Sequence, residues 1–345
     1  MRILVAGGTG FVGSHTVAEL IRAGHEVRLL VRDPSRIRPA LAPFGLDEQP
    51  YVQGDVMQAS AVESAMKGCD AVLHAASIYS LDVRKSEQMR RVNVAGTDAV
   101  LGAAHRLGLD PIVYVSSLVS LFPPGGQVLT TESPVKRPPG AYTRSKADAE
   151  RVARGYQARG APVVISYPSA VFGPHDPHFG ESAQIVRHIL AGRMRLVPRG
   201  GFSIVDVRDV AKAQAAMFDA GRGPRRYLLS GTHLALSALI NTLADLTGRR
   251  IHFVTMPPWS LWPAVQAADL LQRWLPLGLP VTADGFNTVV WNPHGDDSES
   301  ISDLGFAPRD LRDTLCDTVQ WAYRTGNITR KQAGKVSSAL HTSEN

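Results

Sequence analysis

Residues 2–13 read RILVAGGTGFVG: a short apolar run, a tight glycine cluster, then the start of a helix-period segment. Nothing else in the chain restricts its fold as strongly. A strand that turns through glycines straight into a helix opens a parallel sheet wrapped by helices. The glycines are Gly7, Gly10 and Gly13, spaced GxxGxxG. With 31 glycines in 345 residues, such spacing arises by chance about 0.25 times in a chain of this length, so its weight comes from the strand–loop–helix setting. Glycines there let the backbone approach a pyrophosphate, and the first-turn N–H groups and the positive end of the helix dipole face the phosphates. Gly7, Thr9, Gly10, Phe11, Val12 and Gly13 are therefore candidate dinucleotide contacts.

The alternation continues along the first half. Apolar runs at 2–6, 26–31, 50–53, 70–74, 111–115 and 162–167 predict strands, and the segments 11–23, 58–68, 87–107 and 142–159 predict helices. The fold class expected is α/β, a Rossmann-type doubly wound parallel sheet with a smaller, mostly helical C-terminal substrate domain. After Pro168 the rhythm breaks into a loop-rich stretch with one helix near 181–192, and strands near 203–207 and 226–229 read as returns to the sheet. The expected boundaries are 1–168 for dinucleotide binding, with returning segments over about 202–230. Segments 169–201 and 231–325 are assigned to substrate, and 326–345 to a polar flexible tail.

The end of the second strand meets the adenosine ribose in such a fold. An acidic side chain there binds a free 2′-hydroxyl, and arginine accommodates a 2′-phosphate. Arg32 stands first and Arg36 is a second clamp, which favours NADP; Asp33, one residue on, keeps NAD as the alternative.

Tyr142 and Lys146 lie one helical turn apart on a predicted helix, hence on one face. A tyrosine, with a pKa near 10, is a poor acid or base at neutral pH, and bringing it to about 7 takes roughly 4 kcal/mol of preferential phenolate stabilisation. A neighbouring ammonium contributes to that, and it also reaches the nicotinamide ribose hydroxyls. Ser116 and Ser117 end the fifth strand, at the carboxyl edge where open α/β sheets hold ligands.

Taken in order, these motifs resemble the extended short-chain dehydrogenase/reductase superfamily, the NAD-dependent epimerase/dehydratase group. They are GGTGFVG at 7–13, Gly54-Asp55-Val56, His74-Ala75-Ala76, Asn93-Val94-Ala95-Gly96-Thr97, Ser116-Ser117 and Tyr142 to Lys146. Farther on come Pro168 to Pro174, Val205 to Ala211 and Asp303 to Pro308, so the resemblance covers about residues 1–325. It implies that Ser117, Tyr142 and Lys146 are the catalytic triad and that Asp55 and Val56 contact adenine. It further implies that Ala75, Ala76, Asn93, Pro168 and Ser169 adjoin the cofactor, and that the protein pairs as a homodimer through the helices carrying Asn93 and Tyr142. Tyr79, Phe172, His175 and His178 are the candidate substrate contacts.

Within that group, sugar-nucleotide enzymes carry an arginine where this chain has Phe202. They carry an asparagine where it has Ser169-Ala170, and Arg-Pro-Gly-Asp where it has Trp291-Asn292-Pro293-His294-Gly295-Asp296. The sequence is closer to the dihydroflavonol-reductase and 3β-hydroxysteroid-dehydrogenase branch, which implies hydride transfer between nicotinamide and a carbonyl or secondary alcohol of a largely apolar substrate. A nucleotide-sugar epimerase or dehydratase is the alternative, and a non-catalytic dinucleotide-sensing protein is the alternative of another class.

Composition excludes other partners. The 37 basic residues outnumber 31 acidic ones, but they scatter along the chain and form no nucleic-acid-binding signature. Cys69 and Cys316 make no metal-binding pair, and neither metal nor nucleic acid is expected. No leader pattern opens the chain and no spanning run interrupts it, so a cytoplasmic protein is predicted. Segment 259–279 reads as a core helix of the smaller domain, with a lid over the substrate or a membrane-surface helix as alternatives.

Overall fold

A computed structural model of the chain describes residues 1–79, 86–121, 127–136, 138, 140–219, 221, 223–272 and 282–338. The first half alternates as its apolar runs dictate. β1 (Arg2–Ala6) turns into α1 (Phe11–Arg22), followed by β2 (Glu26–Val31), α2 (Ile37–Leu41), β3 (Tyr51–Gln53), α3 (Ala59–Met66) and β4 (Ala71–His74). Then come α4 (Ser86–Arg106), β5 (Ile112–Val115), β6 (Val128–Leu129), α5 (Ala141–Ala158) and β7 (Val163–Pro168). The second half begins with β8 (Ala170–Phe172), α6 (Glu181–Leu190), β9 (Leu196–Pro198), β10 (Gly201–Asp206), α7 (Val207–Ala215) and β11 (Arg225–Leu229). It continues through β12 (Thr232–Ala235), α8 (Leu236–Thr247), β13 (Val254–Met256), α9 (Pro258–Gln272), α10 (Ala283–Trp291) and β14 (His294–Gly295). The last elements are α11 (Ser298–Leu304), α12 (Leu311–Arg324), α13 (Arg330–Ala333) and α14 (Lys335–Ser338).

Seven strands form one parallel sheet in the order β11-β7-β5-β4-β1-β2-β3, with Ile3 opposite Val27 on one side and Ala71 on the other. Because side chains alternate along a strand, each strand feeds two cores. Leu4, Val72, Ile112, Tyr114 and Ile165 pack under α3, α4 and α5, while Ile3, Val5, Leu29, Leu73 and Val113 pack under α1, α2 and α7. Burial on both faces explains why the runs are continuously apolar. Strand order reverses across β1, so the carboxyl ends of β1 and β4 open the crevice where such sheets hold ligands.

A third core lies beyond the sheet. Phe172, Val186, Ile189, Phe202, Ile204, Leu239, Leu243, Leu315 and Val319 join α6, α8 and α12 with a three-stranded sheet in the order β12-β10-β8. Asp206 accepts the Arg208 backbone N–H at 2.8 Å and so caps α7. Arg208 pairs with Asp317 at 2.6 Å, and Arg309 with Asp209 at 2.7 Å. The conspicuous Val205–Ala211 motif is thus a clamp between lobes.

Three expectations are corrected. Only the segment near 226–229 returns to the main sheet; β10 joins the second lobe instead, because β11 takes the free edge of β7. All six β10 residues are buried, so no polar alternation marks which sheet it enters. The polar stretch after 325 is not free over its first dozen residues. Ile328, Ala333 and Val336 enter the third core, and Thr329 and Gln332 form a capping box. In α9 only Val265 is buried among the described side chains, and Trp259 is 77% exposed, so the core-helix reading of 259–279 fails. Trp262 meets Phe286 of α10 with ring centroids 5.7 Å apart, and residues 273–279, with Arg273 and Trp274, lie outside the described residues.

Candidate active site

The glycine loop is shaped by collisions that only glycine avoids. Gly7 sits at φ +95°, and a Cβ there would stand 2.5 Å from the Ala76 nitrogen; one at Gly13 would stand 2.1 Å from the Gly7 carbonyl oxygen. The first turn of α1 is thereby pressed onto the loop, and the Gly10 N–H donates to the Gly7 carbonyl at 3.0 Å. Gly10 caps α1 with no side chain, so the first-turn N–H groups are left for an anion. Gly7 and residues 10–13 line one end of a cavity of about 620 Å³, and Ala75, Pro168 and Ser169 line it farther in. Thr9 is not among the lining residues. A cradle that a Cβ would fill, ending on an uncapped helix, fits a dinucleotide pyrophosphate.

Past β2, Asp33 is already engaged. Its carboxylate caps the following turn, accepting from the Ser35 N–H at 3.1 Å and hydroxyl at 2.6 Å, and these bonds hold its pKa below the usual range. Arg36 pairs with it at 3.4 Å, which ties up the expected second clamp. Arg32 reaches outward, 62% exposed, with Asp55 at 3.9 Å. Val56 packs against Gly96 of α4.

At the other end, Ser117, Tyr142 and Lys146 line the cavity together, and the Ser117 hydroxyl donates to the Pro168 carbonyl at 3.5 Å. Burial, then the charge of Glu181, pushes the Tyr142 phenol above its ordinary value; the nearby Ser117 hydroxyl opposes this and Asp284 adds to it. The chain's own groups therefore hold Tyr142 protonated. Lys146 is buried beneath, its pKa pulled down to about 8 by burial, with Glu150 one turn farther along α5 opposing the loss of charge. Glu150 is itself anchored by Arg154 at 2.8 Å and the Tyr167 hydroxyl at 2.6 Å.

Asn93 does not line the cavity. Its side-chain amide accepts from the Ile78 N–H at 2.8 Å, and donates to the Ile78 carbonyl and to Ser145 at 3.0 Å each. It thus ties the segment after β4 to α5. That segment delivers Tyr79, whose ring stands edge-on to Tyr142 with centroids 4.5 Å apart and which lines the cavity with Glu181. Phe172 and His178 line the cavity as expected, but His175 does not. A left-handed backbone at His175 (φ 61°) turns its ring onto Phe44 and His15. Asp176 is spent on the backbone N–H groups of His178 and Gly180.

Two lining residues escaped the sequence reading. Glu181 begins α6, and burial raises its pKa. Asp284, from the first turn of α10, accepts the Tyr142 N–H at 3.0 Å. Glu181 followed a loop already tied to the pocket; nothing local marked Asp284. Much of the remaining wall is apolar, with Ile78, Leu118, Ile185, Phe202, Val289 and Pro293, interspersed with hydroxyls such as Ser77, Ser182, Ser203 and Thr288.

Comparison with known proteins agrees with this geometry. A family model described as "NAD dependent epimerase/dehydratase family" matches residues 3–230. A Synechocystis sp. protein assigned as a dihydroflavonol 4-reductase is 32% identical over 337 residues, spanning 94% of this chain and 95% of its own. The crystal structure of gox2253 superposes with a TM-score of 0.80 at 29% identity, covering 95% of this chain and 99% of that one. UDP-glucose 4-epimerase from Stenotrophomonas maltophila, solved with bound NAD, has a TM-score of 0.75 at 22% identity over 95% and 99% of the two chains, a likeness of fold.

Proposed function

The chain belongs to the NAD dependent epimerase/dehydratase family, and on that premise we propose that it is an NADP-dependent oxidoreductase. Its reaction interconverts a carbonyl and a secondary alcohol on a largely apolar substrate. The observation that carries this reading is the convergence of Ser117, Tyr142 and Lys146 on one cavity, between the glycine cradle and a largely apolar wall.

A bound nicotinamide dinucleotide supplies or accepts the hydride. Ser117 holds the substrate oxygen beside Tyr142. The phenol donates its proton to that oxygen during reduction and takes it back during oxidation. Lys146 keeps a positive charge below the phenol and offers donors to the nicotinamide ribose. Burial of the pair makes each of these interactions stronger than in water. The preference for NADP rests on Asp33 being engaged by Ser35 and Arg36, while Arg32 extends outward beside Asp55.

Phe202 at the cavity wall favours an apolar substrate over a diphosphate, which calls for cationic groups. The test is NADPH consumption against aromatic, steroid-like and aliphatic ketones beside nucleoside-diphosphate sugars. Turnover of apolar ketones is expected. Sugar-nucleotide epimerisation at constant reduced cofactor, with no ketone turned over, would overturn the proposal.

A further inference from the structure

The catalytic helix α5 begins without a cap of its own. Gly140 stands at the N-cap position and contributes no side chain, although the first N–H groups of a helix need outside partners. For Tyr142 that partner comes from the other lobe: the Asp284 carboxylate accepts its N–H at 3.0 Å. The approach is so close that a Cβ on Gly140 would lie 1.2 Å from an Asp284 carboxylate oxygen. Glycine at 140 is what admits the carboxylate. Asp284 is fixed in turn, because Thr282 caps α10 by accepting the Gly285 N–H at 3.2 Å, and Phe286 and Val289 anchor the helix. The bond spans 142 residues of sequence and fastens the residue whose phenol the proposed reaction uses.

We propose that Asp284 is a positioning residue for Tyr142, capping the catalytic helix from the second lobe so that the tyrosine is aligned only when α10 is docked. This rests on the reading of Tyr142 as the proton donor. Docking α10 also brings Thr288 and Val289 to the cavity wall. The same helix therefore completes the cavity wall and holds the first turn of α5. Among the described residues, the charged groups acting on Tyr142 are Glu181 from α6 and Asp284 from α10, and the Tyr79 phenol ring packs edge-on against it. Those facing Asp284 are Asp269 from α9, Arg144 from α5 and Glu181.

The experiment compares Asp284→Ala, Asp284→Asn and Gly140→Ala in the full chain. Asp284→Ala is expected to lower kcat about tenfold or more, with NADPH affinity changed less than about threefold. Asp284→Asn keeps an oxygen that accepts the Tyr142 N–H, and should recover kcat to within about threefold. Gly140→Ala, which displaces the carboxylate, should mimic Asp284→Ala. Removing the negative charge in Asp284→Asn should also move the tyrosine limb of the pH profile to lower pH, because an anion beside a phenol favours its neutral form. A wild-type kcat in Asp284→Ala would overturn the proposal, as would Asp284→Asn failing to recover kcat. Amide exchange at Tyr142 separates this inference from the reaction assigned to the site. It should quicken about tenfold in Asp284→Ala whatever the protein turns over, and unchanged exchange would refute the cap. Activity retained in Tyr142→Phe would instead refute the reaction.

Discussion

The three glycines of the opening loop carry unequal burdens, and alanine at Gly10 and Gly13 should separate them. At Gly13 a Cβ would lie 2.1 Å from the Gly7 carbonyl oxygen, backbone against backbone; at Gly10 the same oxygen would be 3.4 Å away, an ordinary contact. Overpacking of the first kind costs about 1–3 kcal/mol or more. Alanine in a helix interior returns up to about 1 kcal/mol, so Gly13→Ala should lose roughly 2 kcal/mol net. For a chain of this size that corresponds to a fall in Tm of about 3 °C. Gly10 has φ −92° and ψ 172°, a backbone that alanine adopts freely, so only the weaker N-cap preference is lost, at most about 1 kcal/mol. The new methyl nevertheless enters the space before the first-turn N–H groups, and NADPH affinity should drop at least about tenfold, as for any group displacing a closely held phosphate. Differential scanning fluorimetry and a fluorescence titration of NADPH read the two effects separately. Gly10→Ala binding NADPH like the wild type, or Gly13→Ala keeping its Tm, would refute the geometry argued for the loop.

Four further outcomes follow from the site. Tyr142→Phe should bind NADPH within about threefold of wild type and lose about 10²–10⁴-fold in turnover; steady-state rates at the wild-type level would remove the phenol from the reaction. Arg32→Ala should weaken NADPH about 5–30-fold, a charge-assisted contact discounted for exposure, and leave NADH within about twofold; equal losses would refute the 2′-phosphate contact. Because Lys146 is held down to about 8, its charge disappears earlier than that of a free lysine, and kcat/KM for the dinucleotide should fall above about pH 8. Lys146→Arg, which stays charged, should move that limb upward, and a wild-type profile flat to pH 9.5 would contradict the assignment. Deleting residues 326–345 strips Ile328, Ala333 and Val336 from the third core, at about 3–6 kcal/mol in all; a truncated chain with unchanged urea midpoint would show that they do not matter.

What could be read in advance was whatever one segment decides alone. The strands of the parallel sheet announced themselves because burial on both faces leaves continuous apolar runs, and the glycine loop because its shape excludes side chains. Ser117, Tyr142 and Lys146 were legible for the same reason, since they stand at a strand end and on one helix face. Pairing between distant elements was not. β10 looks like any buried strand, and only the competition of β11 for the free edge of β7 sends it to the other sheet. Asp284 meets Tyr142 across 142 residues. His175 was misjudged because a single left-handed backbone angle turns the ring out of the pocket. The end of the chain is polar overall, yet three spaced apolar residues suffice to bury it.

The interleaving of the chain has a consequence for how such proteins diversify. After β7 it enters the second lobe for β8, α6 and β10, returns for α7 and β11, and leaves again at β12. No single cut frees either lobe, since the last strand of the large sheet is made after the small one has begun. A lobe threaded in this way cannot be exchanged as a cassette by one recombination event. Change in the cavity wall has to come from replacing side chains in place, at Phe202, Glu181 or along α10, while the Arg208–Asp317 and Arg309–Asp209 clasps keep the halves in register.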